Sequence, residues 1–198
     1  ITLSNGDLDA SYNVFYGAGT AITTTDGSLL AEQNRFSDNS LAADLGNDYF
    51  RVQNNLVLGD GTETGFKVSG SGLGASETEA VIFSNQFKDL GTAVQITSGA
   101  SGTLTVDGNA FRDNAVHVVD ATGGSVVDMA AVFENNSFDR AIFNETQSSI
   151  LGADFATVTG NATAGDKLLL QAGEFSATGR TFTQGLTFAV ANSGFVSY

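Results

Sequence analysis

Apolar positions in the first part of the chain fall in short alternating runs. The pairs Leu8/Ala10, Leu29/Ala31, Phe50/Val52, Leu104/Val106, Ala131/Phe133 and Ala156/Val158 lie five and three residues before an asparagine. Before Asn85 the pair reads as Val81/Phe83, one residue later. A period of two places both members on one face of a strand. Beyond each asparagine a second run gives the inward pairs Ile22/Thr24, Leu41/Ala43, Phe66/Val68, Val94/Ile96 and Val116/Val118.

The asparagines head a repeated unit. Asn13-Val14-Phe15 and Asn85-Gln86-Phe87 each run on to a Gly-Thr-Ala-aliphatic tail, Gly19 to Ile22 and Gly91 to Val94. The Asn-x-Phe corner recurs at Asn34, Asn109 and Asn136, with Asn55-Leu56-Val57 and Asn161-Ala162-Thr163 as weaker copies. Successive asparagines are 21, 21, 30, 24, 27 and 25 residues apart. A unit of this length with two or three short strands cannot bury its own apolar face, so it must stack on its neighbours. Stacking aligns equivalent residues about 4.8 Å apart. Phe15, Phe36, Phe87, Phe111 and Phe138 then form an internal aromatic column. Asn13, Asn34, Asn55, Asn85, Asn109 and Asn136 form a structural ladder at one corner, amide to amide.

On these residues the chain resembles the right-handed parallel β-helix superfamily, whose best-known members are pectate lyases and polygalacturonases. The resembling units span about residues 8 to 165. The fold expected is all-β, a right-handed parallel β-helix solenoid of about seven rungs with a C-terminal cap. Residues 1–165 are the rungs. Residues 166–198 lack the corner and read as a cap or hairpin region of the same domain. The segment from Ser69 to Glu79 reads as a loop leaving the coil.

Composition narrows the function. Asp+Glu number 22 against 8 Lys+Arg, a net charge of −14, which argues against nucleic acid and anionic membrane surfaces as partners. No apolar run reaches the ~18 residues of a membrane helix, so no membrane insertion is expected. Cysteine is absent, which removes disulfides and thiolate metal sites. Proline is absent too, in keeping with long ladders, while Gly is 24. The chain opens at Ile1 without a signal-peptide pattern and reads as a processed chain or a piece of a longer protein.

The resemblance implies acidic clusters, often with calcium, beside an Arg or Lys on the outer face. Asp38, Asp89 and Asp113 sit four residues past their asparagines, with Asp60 and Asp139 one residue off that column and Lys88, Arg112 and Arg140 beside them. Asp89, Asp113 and Asp139 are therefore the candidate metal ligands, with Ca²⁺ as the ion. Turn-forming Asp is the competing reading. No Asn-Thr-Asp, Asp-Asp or Gly-His-Gly string of the polygalacturonase type occurs, and no catalytic residue is assigned. His117, the single His, alternates with Val116 and Val118 and is expected to face outward with Thr23, Lys67, Gln95 and Phe143. The function expected is a non-enzymatic structural or adhesive module of a secreted or cell-surface protein, self-assembling end to end or continued by upstream rungs. The alternative is a polysaccharide-binding or lyase-type polysaccharide-degrading protein.

Overall fold

The computed structural model describes residues 1–75, 79–138, 142–144 and 149–151. Its strands stack into three long sheets. Sheet I precedes the ladder corner and holds Asp7–Asp9, Ser28–Glu32, Tyr49–Gln53, Ala80–Phe83 and Thr105–Asp107. Sheet II follows the corner and holds Val14–Tyr16, Arg35–Ser37, Leu56–Leu58, Gln86–Lys88, Ala110–Arg112 and Ser137–Phe138. Sheet III holds Thr2–Leu3, Thr20–Thr24, Leu41–Leu45, Thr64–Val68, Thr92–Ile96 and Val116–Asp120. Every pairing among these strands is parallel. The result is a parallel β-helix of about six turns rather than seven. The rung around Asn161 and the cap at 166–198 lie outside the described residues.

The corner before sheet II is held by the asparagine ladder. Asn55 Oδ1 accepts the backbone N–H of Asn34 at 2.8 Å and its Nδ2–H at 3.0 Å. Asn55 Nδ2 donates to the Ala31 carbonyl and to Asn85 Oδ1, both at 2.9 Å. Asn85 repeats this with Val52 and Asn109, and Asn109 with Ile82 and Asn136. Each interior carboxamide is thereby saturated, as a buried amide must be. The residue before each of the first five ladder asparagines takes a left-handed turn: Tyr12, Gln33, Asn54 and Ser84 at φ of 53 to 61°, and Gly108 at 66°. That reversal swings the corner N–H toward the next rung.

Aromatic stacking follows from the register. Phe15 lies 4.8 Å from Phe36, and Phe111 lies 5.0 Å from both Phe87 and Phe138, all stacked with nearly parallel rings. At the third rung the column carries the smaller Val57. Phe66 of sheet III fills that space edge-on, 6.1 Å from Phe36 and 5.1 Å from Phe87. Gly65 beside it has no space for a side chain, since a Cβ would fall 2.4 Å from the Ala93 carbonyl oxygen and 3.2 Å from Phe87 Cδ1.

Four features depart from the sequence reading. In the fourth rung the inward pair is Ala80/Ile82, facing Phe50/Val52, while Phe83 lies outside. Four consecutive apolar residues carry no alternation, so the one-residue slip was invisible. In the second and fifth rungs Ala43/Leu45 and Val118/Asp120 occupy the inward places, not Leu41/Ala43 and Val116/Val118. Ser71–Leu73 of the supposed loop is a strand paired with Ser101–Gly102, and it buries Leu73. Met129–Asn135 is an α-helix where Ala131/Phe133 predict a strand. Its Met, Ala and Glu favour helix, and Asp128 Oδ1 caps it by accepting the Ala131 N–H at 3.4 Å. Beyond Val116–Asp120, sheet III continues with Ser149–Leu151 and Ile142–Asn144, both paired antiparallel.

Two stability measurements test this account. Asn85→Ala takes their acceptor from the Asn55 N–H and Asn55 Nδ2 and a side-chain donor from the Val52 carbonyl, and should cost about 2–5 kcal/mol in urea unfolding, at roughly 1–3 per buried unsatisfied group. Asn85→Asp should cost more, because its carboxylate would face the Val52 and Asn109 oxygens. Val57→Phe alone should cost about 1–3 kcal/mol by overpacking. Combined with Phe66→Val, it should recover part of that loss, since the pair conserves volume. Strictly additive losses would show that Phe66 does not fill the Val57 gap.

Candidate functional site

The acidic column sits at the second corner, between sheets II and III. Asp38, Asp89 and Asp113 share a left-handed backbone, with φ of 55, 57 and 53°, and Gly17 holds the equivalent place at 68°. Asp tolerates this region better than most residues, and Gly tolerates it freely. The backbone alone therefore accounts for their spacing. Asp89 and Asp113 lie on successive rungs, and the Asp89 N–H donates to the Arg112 carbonyl at 3.2 Å. Lys88 Nζ stands 3.4 Å from Asp89 Oδ2 with both side chains half exposed, a pair of little energetic weight. Asp60 belongs to a separate turn in which Glu63 accepts the Asp60 and Thr62 N–H groups. Asp139 and Arg140 lie outside the described residues. Among the described residues no three His, Cys, Asp or Glu side chains are grouped to hold a metal ion.

The residues after Asp38 and Asp113 form a second set of buried amides that the sequence reading passed over. Asn39 Oδ1 accepts the Ala18 N–H at 2.9 Å, and Asn39 Nδ2 donates to the Phe15 carbonyl at 3.0 Å. Asn114 does the same with the Leu90 N–H and the Phe87 carbonyl, at 3.0 and 3.2 Å. The signal was present as a recurring Asp-Asn step five residues past the ladder.

His117 is fully buried, contrary to its expected outward place. Sheet III strands carry two consecutive inward residues, as in Ala21/Ile22, Ala42/Ala43, Gly65/Phe66 and Ala93/Val94, so simple alternation fails there. His117 takes the first of these two places. Its ring lies 5.7 Å from Phe111 and 5.3 Å from Phe138. Asn114 Nδ2 stands 3.3 Å from His117 Nδ1. The two other Asn114 bonds fix that amide's orientation and turn its Nδ2–H toward Nδ1. Asp120 is buried at the foot of the column formed by Thr24, Leu45, Val68 and Ile96. Its carboxylate accepts the N–H groups of Thr122 at 2.8 Å and Gly124 at 2.9 Å, with the Thr122 hydroxyl.

Outside the coil, a shallow groove of about 350 Å³ crosses sheet I, lined by Arg51, Glu79, Val81, Phe83, Thr103 and Thr105. Arg51, Val81 and Thr105 are outward neighbours on successive rungs, as are Gln53, Phe83 and Asp107. Arg51 Nη2 donates to Glu79 Oε2, and Nη1 donates to Gln53 Oε1 at 3.3 Å. The slip that placed Phe83 inside had hidden this surface.

No protein-family model, curated protein or solved structure matches the chain. The class that the fold itself defines is the parallel β-solenoid. No helix among the described residues is long and apolar enough to cross a membrane.

The backbone origin of the acidic column and a shared cation give different results in one experiment. With a backbone origin, Asp89→Asn and Asp89→Gly keep the melting temperature within a few degrees, and chelator leaves it unchanged. A Ca²⁺ ion shared by Asp89 and Asp113 would instead raise it by mass action, and Asp89→Asn would abolish that rise.

Proposed function

We propose that the chain is a non-enzymatic structural or adhesive β-helix module, in which a rigid stack of rungs displays its outer faces to a partner. One observation carries this reading: among the described residues, the buried polar side chains are consumed by the scaffold. The ladder amides bond one another and the corner backbone, Asn114 closes on the Leu90 N–H, the Phe87 carbonyl and His117, and Asp120 is saturated by its own turn. What remains available lies on the outer faces, including the exposed Tyr12, Val14 and Tyr16 of the first rung. Contiguous exposed apolar side chains mark contact surfaces.

The reading includes membership of the pectate lyase-like β-helix superfamily, supported by the recurring Asn-x-Phe corner, and with it the bacterial secreted or cell-surface location that this resemblance implies. End-to-end association is supported by Leu8 and Phe15, which are only partly covered. Upstream rungs of a longer chain would cover the same side chains. Polysaccharide binding is favoured over polysaccharide cleavage by the groove on sheet I, where the one basic group is tied to Gln53 and Glu79.

Beads coated with the chain and passed under flow over a panel of immobilised polysaccharides should be retained on at least one of them. No reducing or unsaturated ends should be released. Released ends would move the protein to the degradative class, and retention on none would overturn the adhesive reading.

A further inference from the structure

The sheet I groove joins concavity, an exposed ring and paired charges in one place. Phe83 keeps 39% of its surface exposed although it sits in mid-sheet. Its ring rests on Gly108, where a Cβ would lie 3.2 Å from Phe83 Cε2. Gly108 also has φ of 66°, so both its backbone and the ring above it disfavour a side chain. The ring is thus a braced apolar platform beside Val81 on the groove floor.

The polar rim is of another kind. Arg51 is held between Gln53 and Glu79, and the side chains of the Arg51–Glu79 pair are 42% and 58% exposed. A guanidinium has five donor hydrogens and a carboxylate about four acceptor sites, so both retain capacity toward a ligand. Thr103 and Thr105 add hydroxyls that donate and accept. The charges of Arg51 and Glu79 cancel. Asp107 lies next to Phe83 on the following rung, and the chain as a whole carries −14. An anionic ligand meets repulsion there, and the cancelled rim pair gives a polycation no specific hold. What fits is an uncharged molecule with a C–H face for the ring and hydroxyl edges for the rim.

We propose that this groove binds a neutral pyranose oligosaccharide, with the Phe83 ring under a sugar face and the Arg51–Glu79 pair on adjacent hydroxyls. The inference rests on the adhesive reading and supplies its ligand class. The ¹⁵N-labelled full chain can be titrated with mannohexaose, cellohexaose and xylohexaose, and with hexagalacturonate and hexalysine as charged probes. At least one neutral hexasaccharide should shift the amides of Val81, Phe83, Thr103 and Thr105 saturably, and neither charged probe should. Phe83→Ala should weaken binding by roughly tenfold or more, and Phe83→Trp should preserve it, both with the amide spectrum of the coil interior unchanged because the ring lies outside the coil. The proposal is overturned if no neutral hexasaccharide shifts these amides, if the shifts fall elsewhere, or if a charged probe binds there instead. Wild-type beads retained under flow with no groove response would sink this site alone. Beads never retained would sink the adhesive reading itself.

Discussion

A β-helix has to turn its backbone at every corner, and each turn takes N–H and C=O groups out of the sheet ladders. Buried without partners, each such group costs about 1–3 kcal/mol. The asparagine ladder answers this constraint, and the rest of the structure depends on it. A carboxamide supplies two donors and two acceptor sites, enough to close the corner of its own rung and bond the next. Asn55 and Asn85 use all four. Once the amides are in line, the residue two places on is forced inward. That is why Phe36, Phe87 and Phe111 stack and why Val57 needs Phe66 beside it.

The end of the parallel stack shows the same constraint from the other side. Among the described residues, no further parallel strand joins sheet III after Val116–Asp120. Asp120 replaces the aliphatic residue of its column and gathers the N–H groups of the following turn. Val126 to Asn135 then lies over the fifth rung, with the Val126 and Asn135 carbonyls accepting the Leu104 and Gly108 N–H groups. The ladder survives this change of secondary structure. Asn136 still accepts from Asn109 and donates to Val106, while also closing the helix on the Val132 carbonyl.

With the interior committed to stacking, surface chemistry in this fold is built across rungs. Arg51, Val81 and Thr105 are distant in sequence but neighbours on one face. A groove assembled this way inherits the rigidity of the sheet beneath it, which lowers the ordering cost of holding a ligand. Its chemistry can also vary without touching the core, because outward positions bear none of the ladder.

The repeat by itself determined the class of fold, since only stacking can bury one apolar face per 21 to 30 residues. It also placed the ladder asparagines and the phenylalanine column, because both recur at fixed offsets from one corner. Where local pattern was ambiguous, tertiary structure decided. The run Ala80 to Phe83 is apolar throughout, and only pairing with Phe50 and Val52 turned Phe83 outward. His117 alternates with valines, yet the doubled inward positions of sheet III drew it into the core. Residues 129–135 became helix although Ala131/Phe133 alternate, because Met, Ala and Glu favour helix and Asp128 caps its first turn. The groove was illegible for the same physical reason. Its members lie on different rungs, and only the register between rungs, a long-range property, brings Arg51, Phe83 and Thr105 onto one surface.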